Sequence, residues 1–184
     1  MTFANQLTVL RMVASPLFVL LVVYQRLGGA LAVFLLAGIT DLLDGLIARR
    51  FGHRTPLGTF LDPVADKLLL VSSFITLSLG NVGLTLKIPL WLTITVLGRD
   101  VLLVVSVLII NLTLGRHLFR PSLWGKATTT AQLLTIMVTL VSNYLRLDGG
   151  LVWILVIYVT LALTVISGIH YGSRGREFLE FNRE

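Results

Sequence analysis

The sequence contains no cysteine, which excludes disulfides, thiolate nucleophiles and cysteine-bound metal. Charge is scarce too. Asp, Glu, Lys and Arg make up 13% of the 184 residues, against about 25% in a soluble domain. Apolar residues reach 55% and the mean hydropathy is +0.90. The missing charge is missing in blocks: none falls between Lys67 and Lys87, between Lys126 and Arg146, or between Asp148 and Arg174. Each block is long enough to cross about 30 Å of hydrocarbon at about 1.5 Å per helical residue. The expected fold is all-α, a polytopic integral membrane protein. Disorder, a secreted disulfide scaffold and an ordinary water-soluble enzyme are excluded.

Charge and turn residues divide the chain into six expected transmembrane helices, near Asn5–Tyr24, Gly28–Arg50, Gly58–Leu79, Ile88–Leu114, Gly125–Leu145 and Leu151–Tyr171. Gly28-Gly29, His53 to Pro56, Gly80 to Gly83, Arg116 to Pro121 and Asp148 to Gly150 punctuate them. No linker is long enough to separate one domain from another, so residues 1–184 are expected to form one membrane domain. The first apolar stretch carries Arg11 and Pro16 and leads straight into further segments, unlike a cleaved signal.

Of the 15 Lys and Arg residues, nine gather at one side (Arg49, Arg50, Arg54, Arg116, Arg120, Lys126, Arg174, Arg176 and Arg183). The other side has Arg26, Lys87 and Arg146, and Arg11, Lys67 and Arg99 lie within segments. That bias places both termini in the cytoplasm. The net charge of +6 is accounted for by contact with anionic lipid surfaces. No nucleic-acid partner is expected.

Four of the nine acids, Asp41, Asp44, Asp62 and Asp66, fall within 26 positions at the facing ends of the second and third segments. The i, i+3 and i, i+4 spacings put each pair on one helix face, and the short connector between the segments should bring the pairs together. Two carboxylates about 6 Å apart repel by roughly 3 kcal/mol at an effective dielectric of about 20. Four need compensation. Oxygen-only donors favour Mg²⁺ or Mn²⁺, and four carboxylates suffice for two ions. Gly45, Ala48 and Gly58 let a bulky group approach the backbone, and Arg49 offers a fork for phosphate. The competing reading, helix caps paired with Arg49, Arg50 and Lys67, explains one acidic pair more readily than two matched ones.

The run Asp41-Leu42-Leu43-Asp44-Gly45-Leu46-Ile47-Ala48-Arg49, followed after eight residues by Gly58, then by Asp62 and Asp66 at four-residue steps, resembles the CDP-alcohol phosphatidyltransferase signature at all its fixed positions. Segment number and chain length resemble that family as well. The resemblance implies transfer of a phosphatidyl group from CDP-diacylglycerol to an alcohol, with release of CMP. It further implies that Asp41, Asp44 and Asp62 hold metal, that Asp66 lies near the ions and serves as base, and that Asp44, Gly45, Ala48, Arg49 and Gly58 form the CDP site. No Ser, Cys or His accompanies the acids in the motif, which favours direct in-line attack over a covalent intermediate.

Asp62-Pro63-Val64-Ala65-Asp66-Lys67 and Ser167-Gly168 resemble members that use sn-glycerol 3-phosphate and make phosphatidylglycerophosphate. That acceptor is the expected one. Gly98-Arg99-Asp100-Val101 and Thr40-Asp41 also resemble members that use phosphatidylglycerol to form cardiolipin, the alternative. A cation-coupled transporter would also bury acids, but no inverted repeat is visible.

Arg99, Arg116 and Lys126 are candidate acceptor ligands; for Arg99 a structural pair with Asp100 stands beside that reading, and for the other two simple anchoring. Asn5, Thr8 and Arg11 share a face of the first segment and either support the metal and nucleotide site or touch headgroups. Gly168-x-x-x-Gly172 would suit a homodimer. The expected location is a bacterial cytoplasmic membrane, with the site facing the cytoplasm.

Overall fold

A computed structural model of the chain describes the backbone of residues 3–51, 56–80, 83–114 and 123–181, and the side chains of 10–40, 65, 67–80, 83–105 and 123–171. The described residues form six helices and no strand: α1 (Phe3–Val23), α2 (Leu27–Phe51), α3 (Pro56–Ser78), α4 (Leu90–Leu114), α5 (Leu123–Tyr144) and α6 (Gly150–Phe181). The first five lie within two residues of the expected segments. Pro56 opens α3 at the first helical position, where its missing N–H has no helical acceptor to lose.

α6 departs from expectation, running ten residues past Tyr171 to Phe181. Hydropathy marks where a bilayer ends, and a helix is free to continue into water. Gly28-Gly29 also differ: they lie in the first turn of α2, and the turn before it is made by Tyr24 and Gln25.

Among the described residues, Gly150–Tyr171 alone is long and apolar enough to cross a membrane, the apolar runs Leu10–Val23, Leu27–Thr40 and Lys67–Ser78 being shorter. Large apolar side chains nevertheless point outward in rows, such as Leu151, Val152, Ile154 and Leu155 on α6 and Val101, Leu102, Val104 and Val105 on α4. Contiguous apolar surface of this kind needs a non-aqueous neighbour.

Two compact units can be distinguished, one built from the chain up to Lys87 with Ile136–Gly149, the other from Ile88–Thr135 with the chain from Gly150 onward. In the first, α1 packs against both α2 and α3. The α1 face carrying Arg11, Ser15, Phe18 and Val22 is buried, at the i, i+4, i+7, i+11 spacing of one helical stripe. Phe18 meets Phe34 of α2 with ring centroids 6.0 Å apart. The Ser15 hydroxyl lies 2.8 Å from that of Ser72 on α3 and donates to the Leu68 carbonyl at 3.3 Å. In the second unit α4 packs on α6, and the Thr135 and Thr160 hydroxyls are 2.7 Å apart.

Two helix ends in the first unit are capped alike. Arg26 N–H donates to Leu21 O and Gln25 N–H to Val22 O at the end of α1. At the end of α5, Leu147 N–H donates to Ser142 O and Arg146 N–H to Asn143 O. Both are Schellman caps, whose left-handed residue is usually glycine. Here Gln25 (φ 60°) and Arg146 (φ 55°) occupy it, at a cost of about 1–2 kcal/mol each.

Asn143 sits one turn before the second cap and ties down the α3–α4 connector. Its Oδ1 accepts from Thr85 N–H at 2.9 Å and Leu86 N–H at 3.1 Å, while Nδ2 donates to Leu86 O and to Thr139 O, both at 2.8 Å. All four hydrogen-bonding positions of the amide are used.

Candidate functional site

The signature is carried by two helices of the first unit, with Asp41, Asp44, Gly45, Ala48 and Arg49 on α2 and Gly58, Asp62 and Asp66 on α3. The side chains of these eight residues, and of Asn5 and Thr8, lie outside the described residues, as does Arg116 altogether.

Their helical positions can be placed from the stripes they continue. On α2, Ala30, Phe34 and Ala37 are buried, and steps of four and three residues lead on to Asp41 and Asp44. On α3, Leu69, Ser73 and Leu77 are buried, and the same steps backwards lead to Asp66 and Asp62. In helical register, both acidic pairs continue the lines of those buried residues.

α1 packs against both of these helices. Ser15 meets α3 at Leu68 and Ser72, and Gln25 beyond the end of α1 lies against Gly83 beyond the end of α3, so the two helices run in the same direction. One turn back along α1 from Ser15 lies Arg11. Arg11 is 2% exposed, so α1 buries a cation one turn before Ser15. An apolar groove of about 190 Å³ runs between α1 and α2, from Leu17 and Val33 to Arg11 and Thr40, the residue before Asp41.

The donor set fits a hard divalent cation. Asp41, Asp44, Asp62 and Asp66 offer oxygen donors alone, the donor type that Mg²⁺ and Mn²⁺ prefer.

The second unit holds Arg99 and Lys126. Arg99 Nη1 donates to Asp100 Oδ1 at 2.8 Å and Nη2 to Ser167 Oγ at 2.6 Å. Its guanidinium carbon lies 5.8 Å from the centre of the Tyr171 ring. Both Arg99 and Asp100 are buried, and Arg99 Nε has no hydrogen-bond partner among the described residues. The guanidinium thus joins α4 to α6 and keeps one donor in reserve. Lys126, in the first turns of α5, is exposed, and the structure does not bring it onto Arg99. A Cβ on Gly168 would come within 3.9 Å of Arg99 Cγ, so this glycine of the G-x-x-x-G faces α4 of its own chain.

Sequence pattern alone does not single out Gln132. It is fully buried with Thr128 and Thr135 on one face of α5, and neither atom of its amide has a partner among the described residues. The i, i+4, i+7 polar spacing of Thr128, Gln132 and Thr135 is the signal that could have found it. Hydroxyls satisfy themselves on the preceding turn, as Thr135 does on Ala131 O at 2.9 Å; an amide is harder to satisfy that way.

The two acidic pairs thus lie on α2 and α3, and comparison with known proteins gives the class of protein that carries them. The CDP-alcohol phosphatidyltransferase family model matches residues 1–166. The chain belongs to that family and is a phosphatidyltransferase. A probable phosphatidylglycerophosphate synthase of Mycobacterium tuberculosis is 37% identical over 183 residues, covering 93% of this chain and 80% of that protein. The CDP-diacylglycerol--glycerol-3-phosphate 3-phosphatidyltransferase of Pseudomonas fluorescens is 34% identical over 181 residues, covering 93% and 88%. A human cardiolipin synthase (CMP-forming) is 31% identical over 193 residues, covering 94% of this chain and 62% of its own length.

Proposed function

We propose that the protein transfers the phosphatidyl group of CDP-diacylglycerol to a hydroxyl of sn-glycerol 3-phosphate, releasing CMP and forming phosphatidylglycerophosphate. The observation that carries this reading is the complete signature on α2 and α3, in a chain that matches enzymes of that name along most of its length.

Asp41, Asp44 and Asp62 hold Mg²⁺ or Mn²⁺, in all two ions, with Asp66 beside them. When bound, the ions neutralise the pyrophosphate and stabilise the departing CMP. Asp44, Gly45, Ala48, Arg49 and Gly58 seat the CDP moiety, Arg49 as a fork on phosphate. Asp66 accepts the proton of the acceptor hydroxyl. That oxygen bonds to the phosphatidyl phosphorus as the P–O bond to CMP breaks. Asn5, Thr8 and Arg11 support this end from α1, where buried Arg11 balances carboxylate charge. The groove ending at Arg11 and Thr40 suits one acyl chain of the donor lipid. Arg99, Arg116 and Lys126 draw in the anionic acceptor.

The six helices cross the membrane as one domain spanning 1–184, a reading supported by a family match that runs through both compact units. Both termini lie in the cytoplasm and the site opens there, at the cytoplasmic membrane of a bacterium. A homodimer is part of this reading.

Purified protein given CDP-diacylglycerol with each acceptor separately tests the assignment. CMP release with sn-glycerol 3-phosphate is expected. Release with phosphatidylglycerol alone moves the protein to the cardiolipin-forming reading, which relatives such as the human enzyme favour. No CMP with either acceptor overturns both.

A further inference from the structure

The α1–α2, α3–α4 and α5–α6 connectors of the first unit meet around an open cavity of about 860 Å³, at the end of the unit away from the aspartates. This volume lies in the range of small-molecule sites, about 300–1,000 Å³. Arg26 enters from the first connector and Arg146 from the third. Both are exposed, and neither forms an ion pair among the described residues. We propose that this cavity is a second binding site, for a phosphate-bearing anion supplied by the headgroup of an anionic membrane phospholipid.

The distribution of charge is the first argument. Lipid-anchoring cations belong at the opposite end, where nine of the 15 Lys and Arg residues gather. Of the three assigned to this end, two line one cavity. Anchoring would spread them around the rim.

The backbone is the second. Arg146 holds a left-handed position that glycine fills without strain, and this places a guanidinium at the cavity instead. Two guanidinia from separate connectors form a clamp for phosphate oxygens. Thr85 and Tyr144 add hydroxyl donors to the lining. Gly28 and Gly29 add backbone N–H groups from the first turn of α2, where such groups have no helical acceptor.

The site is also preformed. Asn143 pins Thr85 and Leu86 by their N–H groups, and Gly83, at φ 64°, lets Gln25 reach over it where a Cβ would stand 2.6 Å from Nε2. Binding therefore need not order the connectors. The proposal goes beyond the transferase reaction and uses none of its residues.

The test uses the full chain in phosphatidylcholine nanodiscs doped with phosphatidic acid, an anionic lipid that is neither donor nor acceptor in the proposed reaction. Retained phosphatidic acid is counted by native mass spectrometry, and a parallel arm titrates inorganic phosphate into undoped discs. Wild type should enrich phosphatidic acid. Arg26→Gln should lower the enrichment about tenfold, the scale of one lost charged contact of about 1.4 kcal/mol. Arg146→Gly should do the same while relieving its own backbone strain, so misfolding does not account for the loss. CMP release should be unchanged in both variants. Arginine-dependent binding of inorganic phosphate without lipid enrichment assigns the same clamp to a soluble phosphate compound. Equal retention in wild type and both variants, with no phosphate binding, overturns the proposal.

Discussion

Arg99 and Ser167 stand 68 positions apart in the sequence, yet the guanidinium donates to the hydroxyl at 2.6 Å deep within the second unit. The same guanidinium is neutralised by Asp100. A charge that would cost at least about 2.5–3.5 kcal/mol alone at the centre of a bilayer is thereby converted into a link between α4 and α6.

Breaking that link from its acidic side should be severe. Asp100→Ala leaves a buried, uncompensated cation and is expected to destabilise the protein by about 3–5 kcal/mol, and Ser167→Ala by about 1.5–3 kcal/mol, as for a hydrogen bond to a charged group. Thermal unfolding in one detergent checks the order. Equal, small shifts would show that the guanidinium is satisfied from elsewhere.

Lys126→Ala removes an exposed cation and is expected to raise the apparent KM for glycerol 3-phosphate with kcat retained, since its charge serves ground and transition states alike. Arg99→Lys should act in the same direction, because a point charge replaces a fork. A change confined to the KM for CDP-diacylglycerol would place both residues in the wrong pocket.

Activity should disappear under EDTA and return with Mg²⁺ or Mn²⁺. The reason is electrostatic: four carboxylates within 26 positions of the chain repel one another and supply oxygen donors alone, which a hard divalent ion satisfies. Undiminished CMP release under thorough chelation would remove the metal reading.

Asp66→Asn should separate base from ligand. It keeps the size of the side chain but not its proton affinity, so CDP-diacylglycerol should still bind while turnover falls about 10²-fold or more. Asp44→Asn should weaken metal-dependent nucleotide binding as well. Near-normal turnover by Asp66→Asn at saturating Mg²⁺ would assign the proton to another acceptor.

The helices and the signature were legible in the sequence because both are local. Charges and turn residues bracket apolar runs, so α1 to α5 end within two residues of expectation, and the spacing of Asp41, Asp44, Asp62 and Asp66 is a pattern read without tertiary information. The end of α6 was not legible, because polarity after Tyr171 marks water and not a helix terminus. Nor were the caps at Gln25 and Arg146: the usual glycine signal is absent, and the left-handed turn shows only in the backbone. Nor was the burial of Arg11, which goes with Ser15 finding Ser72 across 57 positions. Arg99 was recognisable as an intramembrane charge, but its partner Ser167 was not.

The clamp made by Asn143 also sets an order of events during synthesis. Its bond to Thr85 spans 58 positions, so at about 5–20 residues per second the ribosome takes about 3–12 s to go from one to the other. Throughout that interval the N–H groups of Thr85 and Leu86 must be served by water or a chaperoning surface. Nascent chains stalled before Asn143 should expose the α3–α4 connector to protease, and chains released a few residues beyond the end of α5 should protect it.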